Sequence, residues 1–224
     1  MDNKREVRFL QLMELRAEQN EQEYILEGYP IVFNQETDMG AWREVIDPAA
    51  VGDGKVLRDV ALMVGHDFGM IPLAHSRRNN GSGTMTLTVD EHGVKMRAVL
   101  DVKNNPKAAE AYSAVMRGDI SGMSFAFIVE GEAWEDLDTD KPLRRITGFG
   151  EIYEVSLVAF PAYKGTSVSV QAASEGDALE SVRASLESAK QKLAEEREAQ
   201  AETERRTALI ERLNKITEVS SDEV

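Results

Sequence analysis

No cysteine occurs anywhere in the 224 residues, which excludes a disulfide framework, a thiolate nucleophile and any zinc site built on sulfur. Histidine is nearly as scarce. His66, His75 and His92 are the whole supply, so imidazole chemistry has three candidate positions. Positive charge is in deficit, with 26 Lys and Arg against 40 Asp and Glu and a formal net charge of −14; this argues against a nucleic-acid surface, which needs clustered basic side chains. No apolar run approaches the roughly 20 residues of a membrane span. The N-terminal stretch MDNKREVRFLQLMELRAEQ is charged and interrupted, without the continuous apolar segment of a secretory signal. The expectation is a soluble, cytoplasmic protein with neither a nucleic-acid nor a membrane partner.

Beyond Gly176, glycine, proline and aromatic residues are absent through Val224. The composition therefore predicts two regimes, 1–171 and 172–224, the first mostly β and the second helical. In the tail, Leu179, Val182, Leu186, Ala189 and Leu193 follow 3–4 spacing, a charged middle from Glu195 to Arg206 breaks it, and Leu209, Leu213 and Ile216 resume it. Only short stretches suit a coiled-coil seam, so a solvated or partly disordered helix and an oligomerisation or docking helix both stand as readings.

In the first regime, alternation predicts strands over Val7–Leu15 and Tyr24–Phe33, the second interrupted at Gly28-Tyr29-Pro30. Trp42–Val51 reads as a short strand ending at Pro48, and Asp59–Asp67 as an apolar run that stops at Gly65-His66-Asp67. Thr84–Val89 and Val94–Asp101 flank Asp90–Gly93, a hairpin in which Gly93 is expected to supply a positive φ and His92 to be an exposed turn residue. Asn104–Arg117 is the clearest helix, with an Asn cap, Pro106 in the first turn and Gly118 at the end. An acidic loop over Glu130–Asp140 is expected next, then one or two strands across Arg144–Phe160.

Three polar residues stand out in apolar surroundings. In GDISGMSFAFIV, Ser121 belongs with turn residues, but Ser124 sits inside a strand pattern, where an unpartnered buried hydroxyl costs on the order of 1–3 kcal/mol. Period two puts Met123, Phe125 and Phe127 on one face and Ser124, Ala126 and Ile128 on the other, small Ala126 leaving room beside Ser124. In GFGEIYEVSLVAFPA, Ile152, Glu154, Ser156 and Val158 share a face, so Glu154 is a carboxylate in an apolar strand and needs a partner; Glu151 lies on the opposite face and is the weaker candidate. His66 ends a strand, where side chains meet solvent and substrate, whereas His75 reads equally well as a loop residue. A His–Ser pair with a carboxylate orienting the imidazole would account for Ser124 and Glu154 together.

The stretches REVIDPAAV, LMVGHD, RGDISGMSFAF and EIYEVSLVAFPAY, in this order, resemble the prohead (capsid maturation) proteases of tailed bacteriophages, serine peptidases related in fold to the herpesvirus assemblins. The resemblance spans roughly residues 5–170. It implies an α+β protein with a mostly antiparallel, β-barrel-like protease core and a few helices, followed by the C-terminal charged helical tail. Position by position it makes Ser124 the nucleophile, His66 the general base and Glu154 the third member, with backbone N–H groups as oxyanion donors and no cofactor or metal. It further implies a site of action inside the assembling procapsid in the host cytoplasm, with the major capsid protein, its scaffold segment and the protease itself as substrates. The protease would then be absent from or degraded in the mature virion. A homo-oligomer is an option that no clear seam encodes. Two rivals remain: a non-enzymatic capsid scaffolding protein, and a metal-dependent hydrolase using His66, Asp67 and His75, whose spacing lacks the helical pattern of zincins.

Overall fold

The computed structural model describes residues 5–10, 15–20, 23–159 and 175–221. Packing divides the chain into two units, Met1–Ser181 and Val182–Val224. The described strands of the first unit are, in chain order, β1 (Arg5–Leu10), β2 (Arg16–Gln19), β3 (Tyr24–Val32), β4 (Thr37–Asp38), β5 (Arg43–Ile46), β6 (Ala61–Val64), β7 (Ala74–His75), β8 (Met85–Val89), β9 (Gly93–Leu100), β10 (Gly122–Glu135) and β11 (Leu143–Val158). Helix α1 (Pro106–Arg117) joins β9 to β10.

Strand β11 organises the larger sheet. One edge pairs antiparallel with β10, which pairs antiparallel with β1. The other edge is shared: residues 143–146 run parallel to β5, and residues 154–157 run parallel to β6. The smaller sheet has the order β2-β3-β9-β8. Leu26, Ile31 and Met96 from the smaller sheet, Phe125, Phe127 and Val155 from the larger, and Ala108 and Tyr112 from α1 belong to one apolar core. Phe125 and Phe127 stack at 4.6 Å between centroids, and burying an aromatic ring of this kind stabilises by roughly 1.5–3 kcal/mol. The class is α+β, as the sequence implies; the described strands form two sheets and close no barrel.

The period-two and helix-boundary signals map closely onto the elements. The Asn105 side chain accepts from the Lys107 and Ala108 N–H groups at 3.1 and 3.4 Å, and Gly118 ends α1 at φ 78°. Other expectations are corrected. Gly28-Tyr29-Pro30 does not interrupt β3 but forms an irregularity within it. Gly93 is not at positive φ; a Cβ there would lie 2.0 Å from the Ile31 carbonyl oxygen, so close approach of the β3 backbone demands glycine. The acidic loop is shorter than expected because β10 runs on to Glu135. The last stretch is one strand, and it contains a bulge: Ala126 pairs with Glu154 but Phe127 with Ile152, leaving Tyr153 extra. The bulge turns Ile152 into the core with Phe125 and Val155, so Ile152 does not share a face with Glu154 as simple parity predicts. Residues 11–14 of the first expected strand, and Phe160 and Pro161 at the end of the last, lie outside the described residues.

At the other end of β11 lies a buried charge cluster. Arg144 Nη1 and Nη2 donate to Glu6 at 2.8 and 2.9 Å, Arg144 Nη1 also reaches Glu44 at 3.0 Å, and Arg144 Nε reaches Glu132 at 2.7 Å. Arg8 donates to Glu44 at 2.8 Å and also to Glu6. Burial pushes the Glu6 carboxyl upward, but Arg8 and Arg144 override it and hold it at about 2, against 4.5 ordinarily. Burial likewise opposes the charge on Arg144, and Glu6, Glu44 and Glu132 raise its pKa regardless. Through Glu6 and Arg8 the cluster fastens β1 to the sheet.

In the second unit the described residues belong to α2 (Glu175–Ser221), a 47-residue helix, which at 1.5 Å per residue is roughly 70 Å long. Beyond Gly176 in its first turn it holds neither Gly nor Pro, and nothing interrupts it. Its polar side chains bond along its own surface, as Gln191 does to Glu195 at 3.0 Å, while Leu209 and Ile210 are exposed. No helix among the described residues is long and apolar enough to cross a membrane.

Candidate active site

Strand register assembles a polar row on the face of the larger sheet opposite Phe125. Ser124 of β10 stands directly across from Ser156 of β11, and Ser156 from Met63 of β6. The adjacent row runs Ala126, Glu154, Ala61 and on to His75 of β7. Directly opposed residues place their Cβ atoms about 5 Å apart, so Ser124 and Ser156 are neighbours. Ala126, the smallest side chain available with a Cβ, faces Glu154 and leaves its carboxylate room.

His66 enters from beyond β6. The ladder continues one residue past the strand, with Gly65 N–H donating to the Leu157 carbonyl at 3.0 Å. The chain then turns tightly, Asp67 N–H reaching the Val64 carbonyl at 3.2 Å, with Gly65 and His66 both left-handed at φ 61° and 60°. Glycine adopts that conformation freely; histidine does so at a cost of order 1 kcal/mol or more, and persists there only where surrounding contacts fix it.

Two contacts fix it. His66 Nδ1 lies 2.7 Å from Glu154 Oε1, and His66 N–H donates to Ser156 Oγ at 3.1 Å. Ser156 Oγ in turn donates to Glu154 Oε2 at 2.5 Å. Glu154 and Ser156 are fully buried, while the His66 side chain keeps 12 % of its surface. Against an ionised carboxylate, which only accepts, the ring proton belongs on Nδ1 and the lone pair on Nε2. That is the tautomer a general base requires.

Ser124 is also fully buried. Its hydroxyl donates to the Arg8 carbonyl of β1 at 2.5 Å, which is the partner the apolar context demanded. The structure therefore brings Glu154 and His66 into direct contact and sets Ser124 one strand further along the same face, with its proton on β1.

The other histidines have separate surroundings. His75 Nδ1 accepts from Arg77 N–H at 3.1 Å, and burial and the Arg77 charge push its pKa down. His92 packs edge-on against Tyr29 at 4.7 Å in the β8–β9 turn. His66, Asp67 and His75 do not converge: among the described residues no three such side chains are grouped to hold a metal ion.

Sequence reasoning passed over Ser156 and the Arg8 carbonyl. For Ser156 a signal existed, an acid and a hydroxyl two residues apart in an apolar strand. For Arg8 none did, because its carbonyl acts through strand pairing across 116 positions.

No curated protein matches the chain. A solved structure, the capsid assembly protease gp21 of bacteriophage T4, is similar over 72 % of this chain and 100 % of its own, at 12 % identity and a TM-score of 0.45. The family model of the caudovirus prohead serine proteases matches residues 11–180, which is most of the chain, and the protein belongs to that family.

Proposed function

We propose that this protein is a serine endopeptidase of prohead maturation in which Ser124 is the nucleophile, His66 the general base and Glu154 the residue that orients it. The observation that carries the reading is the 2.7 Å contact between His66 Nδ1 and the buried Glu154 carboxylate, with a buried serine on the neighbouring strand of the same face. A buried carboxylate so placed stabilises the imidazolium that forms when the ring takes a proton.

In the reaction, Ser124 Oγ turns from the Arg8 carbonyl toward His66 Nε2 and attacks the substrate carbonyl carbon as its proton passes to Nε2. The C–N bond then breaks, the amine leaves with that proton, and water delivered by the same base releases the acid and restores Ser124. The substrates are the scaffold or the scaffold-like segment of the major capsid protein, and the protease itself. Cleavage takes place inside the procapsid in the host cytoplasm. The α2 tail serves incorporation with scaffold or is itself removed.

Coexpression with capsid protein and intact-mass measurement tests this. Truncated capsid protein should form with the wild-type chain and be lost with Ser124→Ala and with His66→Ala, while both variants fold. Continued truncation with purified Ser124→Ala would refute the assignment of the nucleophile, and capsid protein left intact by the wild-type chain would favour a scaffolding role. Deleting residues 177–224 should impair incorporation into proheads more than peptide hydrolysis; equal loss of both would refute the role given to the tail.

A further inference from the structure

We propose that Ser156 is a positioning residue of this site, one that sets the base through its backbone and its ring at once. The inference rests on the catalytic reading given above and adds to it a residue outside the nucleophile, base and acid.

One hydroxyl connects the backbone of His66 to the carboxylate that holds its ring. Ser156 Oγ accepts from the His66 main-chain N–H at 3.1 Å and donates to Glu154 Oε2 at 2.5 Å, while the other oxygen of that carboxylate holds His66 Nδ1 at 2.7 Å. The three hydrogen bonds close a ring that leaves His66 by its backbone and returns by its imidazole. A hydroxyl has a single proton to donate and lone pairs to accept with, and both functions are engaged here. Ser156 is fully buried, so water cannot readily replace it.

The ring matters because His66 sits in a left-handed turn at φ 60°, a conformation that relaxes unless contacts over-determine it. Glu154 alone fixes only the distal part of the side chain. Ser156 fixes the backbone N–H and, by binding the second oxygen, stops the carboxylate from rotating about its terminal bond. It is not placed to be the nucleophile itself. Its bonds go to the His66 backbone and to the carboxylate that holds Nδ1, and the attacking hydroxyl has to approach Nε2.

Purified full-length chain reacted with a fluorophosphonate provides the test, because saturation separates the maximal rate of serine modification from the affinity for the probe. Ser156→Ala should lower the maximal rate by about 10- to 100-fold, the loss typical of an ångström-scale misplacement, with probe affinity within about threefold and labelling still mapped to Ser124. Ser156→Cys, of similar volume with a weaker donor, should recover part of the rate, and it keeps the test open if the alanine variant fails to fold. A wild-type rate in folded Ser156→Ala, or modification mapped to Ser156, would overturn the proposal. Ser124→Ala separates the two levels: if it still reacts as wild type, the catalytic reading fails, whereas an inert Ser124→Ala beside an unaffected Ser156→Ala removes only the role of Ser156.

Discussion

Glu154→Gln changes one atom type and probes the site where it is most constrained. The amide has two orientations. With its oxygen toward Ser156, the NH2 group faces His66 Nδ1, Ser156 Oγ and Nδ1 both keep a partner, and the ring proton moves to Nε2, where it blocks base catalysis. With its oxygen toward Nδ1–H, the base is correctly protonated, but the NH2 faces Ser156 Oγ across 2.5 Å and the buried serine proton loses its acceptor, at about 1–3 kcal/mol. The productive orientation is therefore the minor one by roughly 10- to 100-fold, and it lacks the negative charge beside the imidazolium. Together these give a loss of about 10³- to 10⁴-fold, close to the scale for a base held in the wrong tautomer and equal to about 4–5 kcal/mol of barrier. Stability should move little, since Gln keeps the shape of the side chain and a hydrogen-bond partner for both Ser156 Oγ and His66 Nδ1. Peptide hydrolysis and fluorophosphonate inactivation measure the rate, and circular dichroism on heating measures the fold. Activity within tenfold of wild type in a folded variant would refute the orienting role of Glu154.

The remaining predictions concern the scaffold. Glu6 is held at about 2 against 4.5, so its ionised form stabilises the fold fully above pH 4.5, and that stability is lost as pH falls toward 2. The difference corresponds to about 3 kcal/mol. Urea unfolding at stepped pH should show wild type losing this amount over that window and Glu6→Gln losing clearly less; parallel curves would count against the cluster. Gly93→Ala should destabilise by about 1–3 kcal/mol, because its Cβ meets the Ile31 carbonyl at 2.0 Å, and an unchanged melting temperature would show that β3 yields freely there. Arg144→Met, which leaves Glu6 and Glu44 buried with one arginine fewer, should cost about 3–5 kcal/mol and speed amide exchange in β1; unaltered exchange would mean that the strand is held by its backbone pairing alone.

What was legible in the sequence was whatever a local period or cap could encode. Alternation put Ser124 opposite in face to Phe125 and Phe127, Asn105 and Gly118 bounded α1, and the parity of Glu154 with Ser156 held, because no irregularity falls between them. The Tyr153 bulge was not legible, since one extra residue leaves the composition unchanged while reversing the facing of the residues next to it. Nor was the cluster of Glu6, Arg8, Glu44 and Arg144: Glu6 and Arg8 are neighbours, but their bonds to Glu44 and Arg144 span 36 to 138 positions, and each reads singly as an ordinary surface charge. The left-handed His66 was hidden for a different reason: the residue type argues against that backbone, and only the contacts with Ser156 and Glu154 support it.

On the mechanism proposed above, the bond from Ser124 to the Arg8 carbonyl has a consequence for the start of each turnover. One proton cannot point two ways, so before any covalent change the hydroxyl has to be re-aimed from β1 to the imidazole. Exchanging one hydrogen bond for another costs about 1 kcal/mol, small beside the roughly 13–17 kcal/mol barrier of an enzyme turning over 1–10³ times per second. On that mechanism the re-aiming adds little to the barrier of the chemical step. The acceptor belongs to the main chain, so no side-chain replacement at Arg8 deletes it. If Ser124 is the nucleophile, idle and ready settings of its hydroxyl are thus written into the pairing of β1 with β10, and an edge strand more than a hundred residues away in sequence holds the idle one.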